Sequence, residues 1–337
     1  MAEPTNDALL AVEDLSVEFP TDQGTVQAVR GVSFSVEPGD VLGIVGESGA
    51  GKSITALAVM GLLPSWARVG GSVRLHGREL LGSSARKLAG VRGRRMAMVF
   101  QDPTTALNPV HTVGRQLVAA VRAHQLLGRK QAWERAVELL RIVGIPEPAR
   151  RAAGYPHEFS GGMRQRVLIA MAMANDPDVI IADEPTTALD VTVQAQVLET
   201  LEKARAETHA AIVLITHDLG VVARMARRVM VMYAGRAVET GSAEEIYHRS
   251  RMPYTMALLA SVPRLDVDDA GLVPIPGTAP SGADLPPGCP FWPRCALSRD
   301  ECRRQEPALR TVDSAGAHRA ACHFSAELVP GALVTEP

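Results

Sequence analysis

The chain has 337 residues, of which 46% are hydrophobic and 21% charged, and its formal net charge is −2 at pH 7. This length suits one large domain with an appendage, and the composition is that of a globular protein. No stretch approaches the run of about 18 apolar residues that spans a bilayer. The nearly balanced charge provides no bulk attraction to nucleic acid, so we expect no nucleic-acid partner.

The N-terminal stretch MAEPTNDALLAVEDL lacks the basic start, apolar run and small-residue cleavage site of a secretory signal. We therefore expect the reducing cytoplasm, where disulfides are rare. This expectation bears on the four cysteines, which all lie in the last fifth of the chain.

The first part of the chain is predicted to be β structure. The segments LLAVEDLSVEF and AVRGVSFSV are followed by the apolar run DVLGIV, which ends in glycine. From Lys52 the pattern becomes helical, as SITALAVMGLL, and it stops at Pro64. A further strand, RMAMVF, precedes Gln101.

The segment from about residue 105 to 175 is mostly helical by its period. The buried strands DVIIAD and AAIVLITH then flank the helix VTVQAQVLETLEKARAE. Strand, crossover helix and strand in this order predict a parallel sheet. From about Val262 the chain is rich in proline and glycine, which predicts a linker or extended arm before the cysteines.

A phosphate-binding motif lies in GIVGESGAGKSITAL, which fits G-x-x-x-x-G-K-[ST] with a strand before it and a helix after it. Glycines let backbone N–H groups surround phosphate oxygens, and the helix N-terminus adds partial positive charge. Lys52 is expected to reach the terminal phosphates of a nucleoside triphosphate, and the Ser53 hydroxyl to ligate Mg²⁺. The alternative is a glycine-rich turn without a ligand. The predicted nucleotide-binding residues are Gly46, Ser48, Gly49, Gly51, Lys52, Ser53 and Ile54.

An acidic pair follows the apolar strand in VIIADEP. The carboxyl ends of parallel strands meet at one edge of a sheet, which is where ligands bind. Asp183 is expected to hold Mg²⁺ through its water shell, and Glu184 to polarise the attacking water as a general base. The alternative is a solvated Asp-Glu turn.

The segment EFSGGMRQRVLIAMAMA resembles the signature of ATP-binding-cassette (ABC) transporters, which is usually written LSGGQ. The chain departs from that pattern at Phe159 and Met163. In the family, the signature of one subunit grips the γ-phosphate of ATP held by the phosphate loop of its partner, so two cassettes close head to tail. The resemblance implies that Ser160, Gly161 and Gly162 bind nucleotide across a dimer.

Other family elements occur in the expected order. Gln101 matches the Q-loop, which implies a coupling hinge between Mg²⁺ or the attacking water and the membrane subunit. Asp190, in TTALD, matches the D-loop of the dimer interface, and His217 matches the switch histidine that contacts the γ-phosphate. Phe19 lies where the family stacks an aromatic ring on adenine. A structural histidine and a strand-core phenylalanine remain the alternatives for the last two.

The resemblance implies an α/β fold, the P-loop NTPase ABC cassette. Its parts are a RecA-like parallel-sheet core, an antiparallel β subdomain and an α-helical signature subdomain at about residues 105–175. With the change in composition, it predicts a nucleotide-binding domain over residues 1–262 and a short Cys-rich C-terminal extension over residues 263–337.

Longer stretches resemble one subfamily, the ATP-binding subunits of dipeptide and oligopeptide permeases. They are QDPTTALNPVHTVGRQL, YPHEFSGGMRQRVLIAMAMA, ADEPTTALDVTVQAQVL, MPYTMALLASVPRLD and IPGTAPSGADLPPGCPFWPRC. The resemblance implies an ATPase that energises peptide import at the cytoplasmic face of the inner membrane. The implied partners are a second ATP-binding subunit, two membrane permease subunits and, indirectly, an extracytoplasmic peptide-binding protein.

Three alternatives to peptide import remain. The same subunit type serves nickel or another small solute, because membrane and extracytoplasmic partners choose the solute. An ABC ATPase acting on DNA or the ribosome needs long heptad stretches or two cassettes in one chain, and neither is present. A metal-dependent redox module with a vestigial ATPase is disfavoured because Lys52, Asp183, Glu184 and His217 are all intact.

The cysteines follow the spacing Cys-x5-Cys-x6-Cys-x19-Cys. Four thiolates suit a [4Fe–4S] cluster or a closed zinc site, but structural zinc favours cysteines separated by about two to four residues. Some members of the resembling subfamily carry an iron–sulfur centre here, which also favours the cluster. Zinc and plain packing cysteines remain alternatives. His318 and His323 could substitute as ligands, but four cysteines suffice without them. The predicted cluster ligands are Cys289, Cys295, Cys302 and Cys322.

Overall fold

The fold is that of a computed structural model, which describes residues 8–22, 24–187, 189–261, 274–280, 282–312 and 316–328. In these residues the strands are β1 (Leu10–Thr21), β2 (Gly24–Val36), β3 (Val41–Val45), β4 (Arg68–Leu75), β5 (Arg78–Glu79), β6 (Met96–Val99), β7 (Val179–Asp183), β8 (Ala211–Thr216), β9 (Arg228–Tyr233), β10 (Arg236–Ser242), β11 (Arg310–Thr311) and β12 (Arg319–Ala320). The helices are α1 (Lys52–Val59), α2 (Ala85–Ala89), α3 (Pro103–Ala106), α4 (Val113–Arg122), α5 (Arg129–Ile142), α6 (Pro148–Ala152), α7 (Gly161–Ala172), α8 (Val191–Thr208), α9 (Leu219–Met225), α10 (Ala243–His248), α11 (Pro253–Ala260) and α12 (Asp300–Arg304).

The chain divides into two compact units. The first contains the described residues up to 11 together with 35–41 and 73–215, and the second contains 12–34, 42–72 and the described residues from 216 onward. Each unit is therefore assembled from segments distant in sequence. The domain boundary predicted at residue 262 lies outside the described residues.

Three parallel strands form the sheet of the first unit. β7 pairs with β6 on one side and with β8 on the other, and α8 connects β7 to β8. Every residue of β7 and β8 is buried, as expected for aliphatic strands covered on both faces. The predicted strand, helix and parallel strand are confirmed.

The predicted helical segment is also confirmed, as helices α3 to α7 joined by short turns. α5 packs against α4 and α7 and buries Leu139 and Leu140. Thr112 begins α4 by accepting a hydrogen bond from the Arg115 N–H at 3.4 Å. Among the described residues, no helix combines the length and apolar character needed to cross a bilayer.

In the second unit, the C-terminal segment adds strands to the sheet. β3 runs parallel to β9, β9 pairs antiparallel with β10, and β10 pairs antiparallel with β12, which in turn pairs with β11. In a separate sheet, β1 and β2 lie side by side. The sequence did not predict β11 and β12, because strands of two residues have no readable period.

Helix α1 ends at Val59, earlier than the predicted stop at Pro64. Gly61 adopts φ 62°, its N–H donates to the Ala58 carbonyl, and the Leu62 N–H donates to the Leu57 carbonyl at 2.8 Å. This is the Schellman arrangement, so Gly61 ends the helix.

The helical packing predicts that substitutions at two leucines will differ in their effect on stability. Leu140 is 0% exposed and Leu126 is fully exposed. Leu140→Ala should lower the free energy of unfolding by about 2–5 kcal/mol, because it leaves a cavity, whereas Leu126→Ala should leave it nearly unchanged. Urea unfolding followed by circular dichroism measures both. Equal midpoints for the two variants would contradict this packing.

Candidate functional site

The phosphate loop joins β3 to α1 in the second unit, and its path requires glycine at two places. Gly46 has φ 154°, and a Cβ added there would lie 2.2 Å from the Met232 carbonyl oxygen. Gly51 has φ 98°, and its Cβ would lie 2.5 Å from the Ala28 carbonyl oxygen. Both clashes involve backbone atoms, which cannot rotate away. The loop therefore takes a shape that exposes backbone to a ligand and that side chains would prevent.

Lys52 is the first residue of α1 and is 4% exposed. Its Nζ donates hydrogen bonds to the Gly46 carbonyl at 2.7 Å and to the Glu47 carbonyl at 3.0 Å. The ammonium group is thus held by the loop it follows in sequence. Ser53 and Ile54 occupy the same first turn and are half-buried. Backbone N–H groups at such a helix start form an anion site.

The acidic pair belongs to the first unit, and its two carboxylates have different surroundings. Asp183 ends β7 and is 6% exposed. Glu184 adopts φ 47°, which is uncommon for a side-chain-bearing residue, and its N–H donates to the Ile215 carbonyl at 2.8 Å. Its Oε2 accepts hydrogen bonds from Gln101 Nε2 at 3.2 Å and from Thr187 Oγ1 at 2.7 Å. The structure thus brings the predicted Gln101 and Glu184 together.

The signature residues begin α7, also in the first unit. Ser160 precedes the helix, and its Oγ accepts a hydrogen bond from the Met163 N–H at 3.3 Å. Ser160 and Gly161 are exposed, and Gly162 is buried. A Cβ on Gly162 would lie 2.2 Å from Val193 Cγ1, so the close packing of Val193 favours glycine at this position. An exposed helix start of this kind suits an anion.

Asp190 and His217 are both exposed and lie at element ends. Asp190 precedes α8, and its Oδ1 accepts a hydrogen bond from the Val193 N–H at 3.0 Å. His217 follows β8, and the next residue, Asp218, caps α9 by accepting from the Gly220 N–H at 2.8 Å. Asp190 therefore has a local structural role in addition to any role at an interface.

Phe19 packs on an aromatic residue that the sequence analysis did not single out. The Phe19 and Trp66 ring centroids are 5.2 Å apart, and the Trp66 residue is 58% exposed. Phe19 is half-buried, so the exposed tryptophan supplies most of the stacking surface of this pair. The two lie 47 positions apart in sequence, so no local signal links them.

All four cysteines line one cavity of about 410 Å³ in the second unit. Cys289 and Cys302 are buried, Cys295 and Cys322 are half-buried, and none is in a disulfide. Burial, reinforced by the neighbouring thiols, raises the pKa of Cys289 to about 12 and that of Cys295 to about 11. These two thiols are neutral at pH 7 in the chain alone.

The cavity wall carries donors and charge as well as sulfur. Trp292 Nε1 is buried without a hydrogen-bond partner, and the Arg299 guanidinium lies 4.0 Å from the Phe324 ring centroid. Because Arg299 is already paired with Glu327 Oε2 at 2.7 Å, the Trp292 N–H is the feature of this wall that suits an anionic group. Within the described residues, however, no group of three or more His, Cys, Asp or Glu side chains is placed to hold a metal ion.

Two family models match the chain. The model of ABC transporters matches residues 29–187, and the model described as the C-terminal region of oligopeptide/dipeptide transporters matches residues 238–302. The first contains the phosphate loop, signature and acidic pair. The second contains the first three cysteines.

Similar proteins of known name agree with both family matches. The oligopeptide transport ATP-binding protein OppD of Mycobacterium tuberculosis is 58% identical over 96% of this chain and 53% of that protein. The dipeptide transport ATP-binding protein DppD of Bacillus subtilis is 50% identical over 89% of this chain and 90% of that protein. The Escherichia coli OppD is 48% identical over 91% of each. The chain thus spans about half the length of the mycobacterial relative and most of the others.

Among solved structures, a dimeric post-hydrolysis state of the ATP-binding cassette MJ0796, bound to ADP and Pi, matches with a TM-score of 0.62 and 25% identity. The match covers 69% of this chain and 98% of that cassette. The fold and motifs thus define an ABC cassette. The chain belongs to the ABC transporter family and, within it, to the ATP-binding subunits of oligopeptide and dipeptide transporters.

The helix start of the signature predicts different outcomes at adjacent glycines. Gly162→Ala should lower the thermal unfolding midpoint, because its methyl group would overlap Val193. Gly161→Ala meets only Leu189 Cδ2 at 3.5 Å, an ordinary contact, and should not lower the midpoint. Calorimetry on both variants tests the contrast. A greater loss at Gly161 would show that the helix packs differently.

Proposed function

We propose that the chain binds and hydrolyses ATP in a head-to-tail pair of cassettes and so drives peptide import through membrane permease partners. The observation that carries the proposal is the glycine-dependent phosphate loop that leads into the buried Lys52 of α1. This arrangement offers backbone N–H donors and an ammonium group, which together suit a triphosphate.

The loop residues would bind the nucleotide as follows. Gly49, Gly51 and Ile54 present backbone N–H groups, and Ser48 adds a hydroxyl. Lys52 would exchange its loop carbonyl partners for phosphate oxygens, which are stronger acceptors because they are charged. The exchange keeps the ammonium hydrogen-bonded before and after binding.

Three residues would share Mg²⁺ with the phosphates: Ser53, Gln101 and Asp183. Hydroxyl, amide and carboxylate oxygens are the ligands that Mg²⁺ prefers. The ion would offset the negative charge of the phosphates.

Glu184 would act as the general base for the attacking water. Its hydrogen bonds to Gln101 and Thr187 fix the carboxylate, which supports a role that depends on orientation. Gln101 would report nucleotide state to the membrane subunit, because it joins the catalytic carboxylate to the exposed segment before α3.

The remaining assigned residues would act at the cassette dimer. Ser160, Gly161 and Gly162 would bind the γ-phosphate held by the partner, which the exposed start of α7 supports. Asp190 would lie at the dimer interface, His217 would contact the γ-phosphate, and Phe19 would stack on adenine with Trp66 beside it. Dimeric MJ0796 bound to ADP and Pi supports the pairing of cassettes.

The relatives' names support a peptide as the solute, in preference to nickel or another small solute. Those described above are named for oligopeptide or dipeptide transport. We place the chain at the cytoplasmic face of the membrane, paired with a second, different ATP-binding subunit and two permease subunits, with a peptide-binding protein outside. Residues 1–262 would form the cassette and 263–337 the extension.

We also propose that Cys289, Cys295, Cys302 and Cys322 hold a [4Fe–4S] cluster. Their shared cavity and the unpaired Trp292 N–H support a common anionic group there, and the long cysteine spacing favours the cluster over zinc. Such a group would stabilise the extension, whose hydrophobic core is small, by linking its segments. Its binding would release the thiol protons.

Glu184→Gln tests the catalytic proposal. The variant should bind ATP like the wild type but lose turnover by at least about 100-fold, because the amide keeps the shape and cannot take the proton. Steady-state phosphate release and nucleotide binding on the purified chain measure the two effects. Glu199→Gln, at an exposed Glu199–Lys203 pair, is the matched control and should retain activity. Near-normal turnover in Glu184→Gln would rule out the assigned role.

Cys295→Ser tests the cluster proposal. Wild-type protein purified without oxygen should contain about four irons and four sulfides per chain, and the variant should lose most of both. Ser298→Ala changes another cavity residue without removing a thiol and should keep them. About one zinc, or no metal, in the wild type would overturn the proposal while leaving the ATP site untouched.

A further inference from the structure

The C-terminal extension reaches the phosphate loop through one arginine. Arg294 Nη1 donates to Glu47 Oε2 at 2.6 Å, and Nη2 donates to Glu47 Oε1 at 2.9 Å. The Arg294 side chain is 5% exposed, whereas that of Glu47 is 27% exposed. Glu47 is the residue after the first glycine of the phosphate motif. The extension thus holds a residue of the loop by a two-pronged ion pair, the strongest geometry available to arginine.

Arg294 is itself fixed by the extension and by β9. Its Nε donates to the Pro276 carbonyl at 2.8 Å, and its Nη1 also reaches Tyr233 Oη at 3.3 Å. The guanidinium carbon lies 5.9 Å from the ring centroids of Tyr233 and Phe291. The hydrogen bonds to Glu47 raise the pKa of Arg294 above its usual value, so the charge is always present. The Arg294 guanidinium is therefore held in the orientation in which it binds Glu47.

Glu47 connects Arg294 to Lys52, the residue that would bind phosphate. Its carbonyl accepts from Lys52 Nζ at 3.0 Å, and its N–H donates to Tyr254 Oη at 2.8 Å. Carboxylate, carbonyl and amide of this one residue are therefore all engaged. A change at the carboxylate alters the segment on which the Lys52 ammonium rests.

We propose that Arg294 is a positioning residue for ATP, acting through Glu47 on the phosphate loop. The proposal rests on the ATP-binding role assigned above to that loop. Arg294 does two things there: it fixes the loop path, which reduces the ordering cost of binding, and it neutralises a carboxylate within a site for a polyanion. Without the arginine, Glu47 would be a mobile, uncompensated negative charge beside the phosphates.

A charge-rescue series on the full chain tests the proposal, with a trinitrophenyl-labelled ATP as the fluorescent probe. Arg294→Gln should raise the dissociation constant about tenfold, the order expected for one uncompensated charge near a polyanion. Adding Glu47→Gln to that variant should recover most of the loss, because the repelling charge is gone. The dissociation constant of Arg294→Lys should lie between those of wild type and Arg294→Gln, because lysine restores the charge but not the pair of parallel hydrogen bonds.

The electrostatic rescue separates positioning from general stability, because a variant that merely destabilised the fold would not regain affinity when a second contact residue is changed. Arg249→Gln, at an exposed pair with Glu244, is the control and should bind like wild type. Wild-type affinity in Arg294→Gln, or no recovery in the double variant, would overturn the proposal. Lys52→Ala reports on the underlying assumption: if it too bound normally, the loop would not be the ATP site at all.

Discussion

The path of the phosphate loop is fixed by close backbone contacts, and the nucleotide site proposed for the second unit depends on them. Gly46 lies against the Met232 carbonyl of β9, and Gly51 lies against the Ala28 carbonyl of β2. Because neither neighbour can rotate away, a side chain at either glycine would displace the loop. The directions of the loop N–H groups are therefore set by two strands that contain no part of the motif.

Consecutive carboxylates at the end of β7 show how backbone geometry gives two adjacent acids different surroundings. Asp183 keeps the extended conformation and stays buried, whereas Glu184 turns into the left-handed region and meets Gln101 and Thr187. That conformation is costly for glutamate, and the hydrogen bond from its N–H to the Ile215 carbonyl helps to hold it. Two adjacent acids can thus serve different partners without competing for one position.

Part of this structure could be predicted from local sequence patterns. The buried strands, the long α8 and the helical segment followed from hydrophobic period, and the loop and signature followed from motifs that need particular backbone shapes. Contacts between distant segments were not readable. The Arg294–Glu47 pair spans 247 positions, and Trp66 beside Phe19 carries no signature of its own. The same holds for the common cavity of the cysteines, which depends on how the extension folds back.

The extension is better understood as a completing part of the sheet than as an appendage. Glu239, in the middle of β10, is 0% exposed, and such a carboxylate is costly without a partner. Its Oε1 accepts a hydrogen bond from the Arg251 N–H and also lies 2.8 Å from Nε2 of His318, which is next to strand β12. A second link joins Glu306 of the extension to Arg30 at 2.8 Å.

These contacts give the extension a physical reason to be retained whatever its thiols bind. Without β12 and His318, β10 would lose the strand on its outer edge, and the buried Glu239 carboxylate would keep the Arg251 N–H but lose the imidazole, while β9 lies directly behind β10. Since β9 supplies the carbonyl that shapes the loop at Gly46, loosening the extension would reach the phosphate site through the sheet as well as through Arg294. The C-terminal segment therefore connects to the phosphate loop along two routes that share β9, one through backbone pairing and one through the Arg294–Glu47 ion pair.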